Sequence, residues 1–173
     1  MTSLTLKWIL ALLLWGGAII GSLQIAHIRG DWGINICGMW GCGAPVQALV
    51  ACHLTWSLVL APLSWGIQLW RKVSPVWMAG LTSLFSAGLV LAFCQREYAE
   101  WWNALGANSE SIYWQRVGFV IATTVEIPTI GMLVVSLAWW GVVAVSAMRG
   151  RIPARINDDQ QPELPFNNQL RSP

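Results

Sequence analysis

Four apolar segments, each long enough to cross a bilayer, constrain this chain more than any other feature of its sequence. They lie at about residues 7–28, 45–70, 75–95 and 117–148. A helix that spans the hydrocarbon core needs roughly 20 mostly apolar residues, and each segment meets this requirement. The sequence therefore predicts an all-α membrane protein whose four transmembrane helices pack as a bundle.

The scarcity of charge supports this fold class and excludes several functions. Only 10% of the 173 residues are charged, whereas soluble domains carry about 25%. Thirteen tryptophans are typical of a protein with two bilayer interfaces. A net charge of +2 without a basic stripe argues against nucleic acid binding. The partners we expect are the lipid bilayer and other membrane protein subunits.

The distribution of lysine and arginine predicts the orientation. If the N-terminus lies inside, the inner side carries Lys7, Arg71, Lys72, Arg149, Arg151 and Arg155. The outer side then carries Arg29, Arg96 and Arg116. This asymmetry favours both termini inside. We expect a multi-pass protein of a bacterial inner membrane, with its first segment retained because the apolar sequence is too long for a signal peptide.

Two stretches outside the spans have their own predictions. The second outer loop, at about residues 95–116, combines Tyr98, Trp101 and Trp102 with two glutamates. This composition predicts a short helix that lies in the membrane interface. Residues 150–173 are polar and include four prolines, which predicts a disordered cytoplasmic tail after a membrane domain at 1–149.

Small residues at helical spacing predict where the spans pack closely. Gly17 and Gly21 form a GxxxG pattern in the first span. In the third span, the predicted bundle-facing stripe consists of Ala79, Ser83, Ser86, Ala87, Val90 and Cys94.

Polar residues inside the spans predict an intramembrane pocket. Glu126 lies about nine residues into the fourth segment, roughly 13 Å below the outer edge. His53 lies at a similar depth in the second segment, so we expect the two to face each other or share a pocket. A carboxylate at this depth is normally neutralised, paired or in contact with water. The other predicted members of the pocket are Gln24, His27, Gln47 and Thr123.

Three interpretations of this pocket remain open. Its side chains could fix helix register through hydrogen bonds, bind a proton or a quinone headgroup, or hold a metal or haem. Haem ligation by both histidines requires equal depth, and His27 lies roughly a dozen ångströms shallower than His53. We therefore predict no metal ligands and no cofactor, with quinone or haem as alternatives. Pro128 also predicts a kink in the fourth helix.

The cysteines cluster near one predicted membrane surface. Cys37 and Cys42 enclose four residues, and in an oxidising compartment they should form a disulfide worth about 2 kcal/mol. The pair could brace the loop, act as a redox centre, or capture a soft metal together with Met39. We expect Cys52 and Cys94 to be free thiols.

The architecture resembles that of the bacterial quinone-linked disulfide-generating membrane proteins. The shared features are the length, the four spans, the inner termini and a cysteine pair in the first outer loop. The resemblance implies a redox role for Cys37 and Cys42, with a quinone near His53 and Glu126. The chain departs from the family pattern in having CxxxxC instead of CxxC, no arginine soon afterwards, and no second cysteine pair.

The function we predict is that of an accessory or structural membrane protein, either a small subunit or a partner-binding component of a membrane complex. No complete set of catalytic residues is visible in the sequence, so we expect no enzymatic activity. The first alternative is a quinone-linked thiol–disulfide oxidoreductase with catalytic Cys37 and Cys42. The second alternative is a small transporter or metal-handling protein.

Overall fold

The computed structural model describes residues 3–28, 34–38, 41–105 and 110–150, and these are mostly helical. The predicted tail, beyond Gly150, lies outside the described residues. The elements are α1 (Ser3–Gln24), a 3₁₀ turn (Ile25–His27), β1 (Asn35–Gly38), β2 (Gly41–Pro45), α2 (Val46–Arg71), α3 (Pro75–Leu105), α4 (Glu110–Thr123) and α5 (Thr129–Gly150).

Four helical stretches in the described chain are long and apolar enough to cross a membrane, which confirms the prediction of four helices of membrane-spanning length. They are Leu4–His27, Val46–Arg71, Pro75–Glu100 and Thr129–Gly150. The first three lie within a few residues of the predicted segments. The fourth begins a dozen residues later than predicted, and its late start has a physical cause.

The predicted fourth segment, 117–148, is two helices instead of one. Helix α4 ends at Thr123, residues 124–128 are not helical, and α5 begins at Thr129. Pro128 has no N–H and its ring obstructs the preceding turn, so a continuous helix is costly there. Helical hydrogen bonding resumes at the start of α5, where the Met132 amide donates to the Pro128 carbonyl at 2.8 Å. The predicted kink is therefore a complete break.

The four long helices lie in the order α1, α2, α5, α3, as judged by their main contacts. Helices α2 and α3 follow each other in sequence but share little direct contact, because α5 lies between them. We call the end that carries β1 and β2 the hairpin end. The opposite end, where α2 and α5 finish and α3 begins, is the far end.

Helix α4 joins the two sides of this row at the hairpin end. Near its start, the Tyr113 hydroxyl donates to the Cys94 carbonyl of α3 at 2.9 Å. At its finish, the Ala122 carbonyl bonds His53 of α2 at 2.8 Å. Helix α4 thus connects α3 to α2, two helices that otherwise scarcely meet.

The short interfacial helix predicted around Tyr98 is not a separate element. Tyr98 belongs to α3, which continues to Leu105, and α4 begins at Glu110. The side chains of Trp101 and Trp102 lie outside the described residues. An unbroken run without proline or glycine from Leu89 to Leu105 explains why α3 extends so far.

Helix α5 crosses α2 closely at Gly131, a glycine that the sequence interpretation did not single out. A Cβ built on Gly131 of α5 would lie 3.0 Å from the Trp56 Cβ and 3.3 Å from the Ser57 amide nitrogen of α2. A Cβ built on Gly17 or Gly21 would meet nothing within 4 Å. In the α3 stripe, Ala79 and Ser86 are buried as predicted, whereas Ala87 is exposed.

We predict that Gly131→Ala lowers the free energy of unfolding in detergent by about 1–3 kcal/mol, because the added methyl meets backbone and Cβ atoms that cannot move aside. Gly141→Ala is the matched control on the same helix, where a Cβ meets nothing within 4 Å. Equal stability of the two variants would contradict the close crossing of α2 and α5.

Candidate functional site at the hairpin end

The strands β1 and β2 form an antiparallel hairpin that contains the predicted disulfide. Cys37 lies opposite Cys42 in the strand register, their Cα atoms are 4.1 Å apart, and their sulfurs are bonded. Gly38 pairs with Gly41 at the closed end of the hairpin. The disulfide therefore clamps a hairpin that would be marginal alone in water.

The hairpin rests on α4 through two glycines. Gly41 has φ +116°, a conformation that disfavours other residues, and a Cβ there would lie 3.1 Å from Nη1 of Arg116. A Cβ on Gly43 would lie 2.5 Å from Cγ2 of Thr123 and 3.1 Å from the Phe119 ring. Only glycine permits this approach, so the spacing of the glycines fits the hairpin to one side of α4.

Beneath the hairpin, Arg116 forms an ion pair with Glu97 of α3. Their Nε and Oε2 atoms are 2.9 Å apart, and the Glu97 side chain is only 5% exposed. A carboxylate buried to this extent is costly unless it is paired and hydrogen-bonded. The sequence interpretation placed Glu97 in a short interfacial helix and Arg116 at the end of the second outer loop. It missed this pair, since nothing in their 19-residue separation marks them as partners.

The break between α4 and α5 is stabilised by two side chains of α2. The Nε2 atom of His53 lies 2.8 Å from the Ala122 carbonyl oxygen. The indole Nε1 of Trp56 donates to the Val125 carbonyl at 2.8 Å. The last carbonyls of a helix, here that of Ala122, have no partner within it. Val125 follows in the non-helical segment, so the two donors bond the carbonyl groups on either side of the point where α4 ends.

The role of His53 follows from this geometry. A carbonyl oxygen can only accept, so the His53 Nε2 must carry the proton and donate it. Its Nδ1 is buried and has no hydrogen-bond partner among the described residues. His53 therefore contributes one N–H to the fold, and the imidazole is placed by α4 rather than by another ionisable group.

A third side-chain donor, Trp15, bonds a backbone carbonyl that has no helical partner within α2. Pro62 lies inside this helix and has no N–H to offer the Leu58 carbonyl, four residues earlier. The indole Nε1 of Trp15, on α1, donates to that carbonyl at 2.7 Å. A second link between α1 and α2 joins the hydroxyls of Ser22 and Thr55 at 2.7 Å.

The predicted polar pocket does not assemble as a hydrogen-bonded cluster. In the described part of the chain, no hydrogen bond joins any two of its six members: Gln24, His27, Gln47, His53, Thr123 and Glu126. Gln47 donates to the Ile28 carbonyl at 2.8 Å, and Thr123 to the Phe119 carbonyl at 2.9 Å. The remaining three, Gln24, His27 and Glu126, are exposed.

The helix break also explains why Glu126 does not pair with His53 as expected. That expectation placed Glu126 on a continuous helical face directed at α2. Because α4 stops at Thr123, Glu126 lies in the non-helical segment and is exposed. His53 bonds a backbone carbonyl at this level instead.

Three further titratable side chains near this site, those of Cys52, Cys94 and Tyr113, do not belong to the disulfide. Cys52 and Cys94 are free, half-buried thiols. Burial raises the pKa of Tyr113, with Cys94, Glu97 and Tyr98 adding smaller contributions in the same direction. Tyr113 therefore remains a hydrogen-bond donor to α3 throughout the physiological pH range. No group of three or more histidine, cysteine or acidic side chains in the described residues is arranged to hold a metal.

Comparison of the chain with protein-family models, curated proteins and solved structures finds no match. Its chemistry must therefore be inferred from its own contacts. These combine a disulfide-clamped hairpin, one buried ion pair, and side-chain donors that bond backbone carbonyls.

We predict that Trp56→Phe lowers the free energy of unfolding in detergent by about 1–3 kcal/mol, because it retains the ring but leaves the Val125 carbonyl without its donor. Trp77→Phe is the control, since that side chain is 69% exposed. If Trp56→Phe is no less stable than Trp77→Phe, the indole does not stabilise the break.

A second comparison tests the buried ion pair. Glu97→Gln should lower the free energy of unfolding by about 1–3 kcal/mol, because it removes the charged acceptor of the Arg116 Nε, whose side chain is 27% exposed. Glu100→Gln should cost less than about 1 kcal/mol, since the Arg96–Glu100 pair is exposed. Similar costs in chemical denaturation would show that Glu97 is solvated.

Proposed function

We propose that this protein is an accessory or structural component of a membrane complex and presents its hairpin at one membrane surface. The observation that carries the proposal is that several of its polar side chains bond the backbone instead of one another. His53, Trp56, Gln47 and Tyr113 all bond backbone carbonyls. In these bonds the side chains hold the fold together, which supports a structural role.

The hairpin is the feature best suited to contact a partner. It is covalently clamped, it rests on α4, and the residues of its strands are largely exposed. A preorganised loop loses little conformational entropy when it binds another protein. The ion pair below it fixes α4 against α3, which supports a rigid platform for this contact.

We further propose that the four long helices cross a bacterial inner membrane with both chain termini inside. The cations at the far end, including Arg71, Lys72 and Arg149, support this orientation. The hairpin would then lie on the oxidising side, where a disulfide persists.

Gentle extraction should test the accessory role. We expect the tagged protein from its native membrane to migrate as part of a larger complex, with one or more partner chains in fixed stoichiometry. Replacement of the hairpin residues 37–42 by a Gly-Ser linker should release those partners while α1–α5 remain folded. A monodisperse monomer with catalytic turnover of its own would contradict the proposal.

One observation favours a second candidate, a thiol–disulfide oxidoreductase. The guanidinium of Arg116 lies beside Gly41, the neighbour of Cys42. A cation near a cysteine favours its thiolate and so promotes exchange. In that reaction a substrate dithiol would reduce the Cys37–Cys42 disulfide, and a quinone would accept the two electrons and two protons to restore it.

The two candidates make opposite predictions for Cys37→Ser/Cys42→Ser. For the oxidoreductase, purified wild type should oxidise a dithiol peptide and reduce a soluble quinone, and the double variant should do neither. For the accessory protein, wild type and variant should be equally inactive, and the variant should only be less stable by about 2 kcal/mol. The transporter alternative depended on a shared polar pocket, and no hydrogen bond joins two of its six residues in the described part of the chain, so no observation favours it as a second candidate.

A further inference from the structure

An apolar groove runs between α1 and α2 in the half of the molecule nearest the far end. Its volume is about 520 Å³, within the range of small-molecule sites. Its walls include Trp8, Ala11 and Trp15 of α1, and Val59, Pro62 and Trp65 of α2. Such a groove has the chemistry to hold a hydrocarbon chain.

The contacts that hold α1 to α2 explain why the groove opens here. The Ser22–Thr55 and Trp15–Leu58 hydrogen bonds join the helices over the half nearer the hairpin. Beyond them, Pro62 interrupts the hydrogen-bond ladder of α2, and the bulky side chains of Trp8 and Trp65 stand on opposite walls. The two helices therefore enclose space that neither fills.

Cations lie near the far ends of both helices that form the groove. Lys7 immediately precedes Trp8 on the α1 wall, and Arg71 and Lys72 end the α2 wall about 9 Å beyond Trp65. The Arg71 guanidinium lies 4.8 Å from the centroid of the exposed Trp70 ring, at the depth expected of a membrane interface.

Within the ranges that the structure describes, no acidic residue lies at this end of the molecule. In the described part of the chain, the acidic residues Glu97, Glu100, Glu110 and Glu126 belong to α3 beyond its midpoint, to α4 or to the helix break. All four lie toward the hairpin end. We call the end of the groove near Lys7, Arg71 and Lys72 its mouth. Among the described residues the charge of this mouth is positive, while the walls of the groove are apolar.

We propose that this groove is a binding site for one anionic phospholipid, with an acyl chain between Trp8 and Trp65 and the headgroup phosphate held by Lys7, Arg71 and Lys72. The charge of the mouth selects a lipid with net negative charge over a zwitterionic one, because each basic residue near the headgroups adds attraction. The groove keeps this lipid in place longer than the lipids that surround the other helices.

Native mass spectrometry of the full chain tests this site. The probes are phosphatidylglycerol and phosphatidylcholine with identical acyl chains, titrated in equal amounts into the detergent-solubilised protein. We expect one phosphatidylglycerol to bind well before phosphatidylcholine does. Lys7→Gln and Lys72→Gln should each weaken phosphatidylglycerol binding about fivefold, with little effect on phosphatidylcholine.

Two controls separate a built site from general attraction. Arg149→Gln removes the same charge at the same end but from α5, which does not line the groove, and it should change binding less than twofold. Ala11→Phe fills the groove and should weaken phosphatidylglycerol binding at least fivefold while circular dichroism shows unchanged helix content.

Several results would overturn the proposal. Equal affinity for the two lipids would remove the selectivity, and an equal effect of Arg149→Gln and Lys7→Gln would indicate only surface charge. Unchanged binding in the folded Ala11→Phe variant would show that the groove is not the site. Dimer masses that disappear in Ala11→Phe without a change in bound lipid would assign the groove to a second copy of the chain.

Discussion

The hydrogen bonds that satisfy backbone carbonyls at breaks in the helices are the interactions on which the rest of this structure depends. In apolar surroundings, a carbonyl without a donor costs several kcal/mol, so a helix can be interrupted only where another group donates. His53 and Trp56 supply donors at the α4–α5 break, and Trp15 supplies one beside Pro62. All three bonds involve α2, so this helix fixes the positions of α1 on one side and of α4 and α5 on the other.

The break at Pro128 in turn makes the hairpin end possible. Because α4 is free to leave the line of α5, it can reach α3 with Tyr113 and place Arg116 against the buried Glu97. The hairpin then packs on the same helix through Gly41 and Gly43. A continuous fourth helix would leave Glu97 without its partner and the disulfide hairpin without a surface to rest on. The break therefore allows α4 to pack against both α3 and the hairpin.

The sequence allowed the local features of the fold to be predicted, and it failed where distant residues meet. Apolar segments of bilayer length can be identified from composition alone. The spacing of Cys37 and Cys42 permits only a small disulfide-closed ring. Pro128 predicted a disturbance, but its extent depends on donors 69 residues away, which no local pattern reveals. His53 and Glu126 were matched by depth along ideal helices, and the break removed the continuous helix that this match assumed. Glu97 was assigned to an interfacial helix and Arg116 to the end of the outer loop, and their pairing was missed because burial is a property of the assembled fold.

The most direct test of this account is hydrogen–deuterium exchange of the protein in lipid nanodiscs, measured by mass spectrometry on peptides that cover residues 117–132. The comparison is between wild type, the His53→Leu/Trp56→Phe double variant and the Trp77→Phe control. If α2 holds the break, the amides at the end of α4 and the start of α5 should exchange faster in the double variant only, while α1 is unchanged. Equal exchange in all three proteins would show that the break is stable without His53 and Trp56, and would contradict the account.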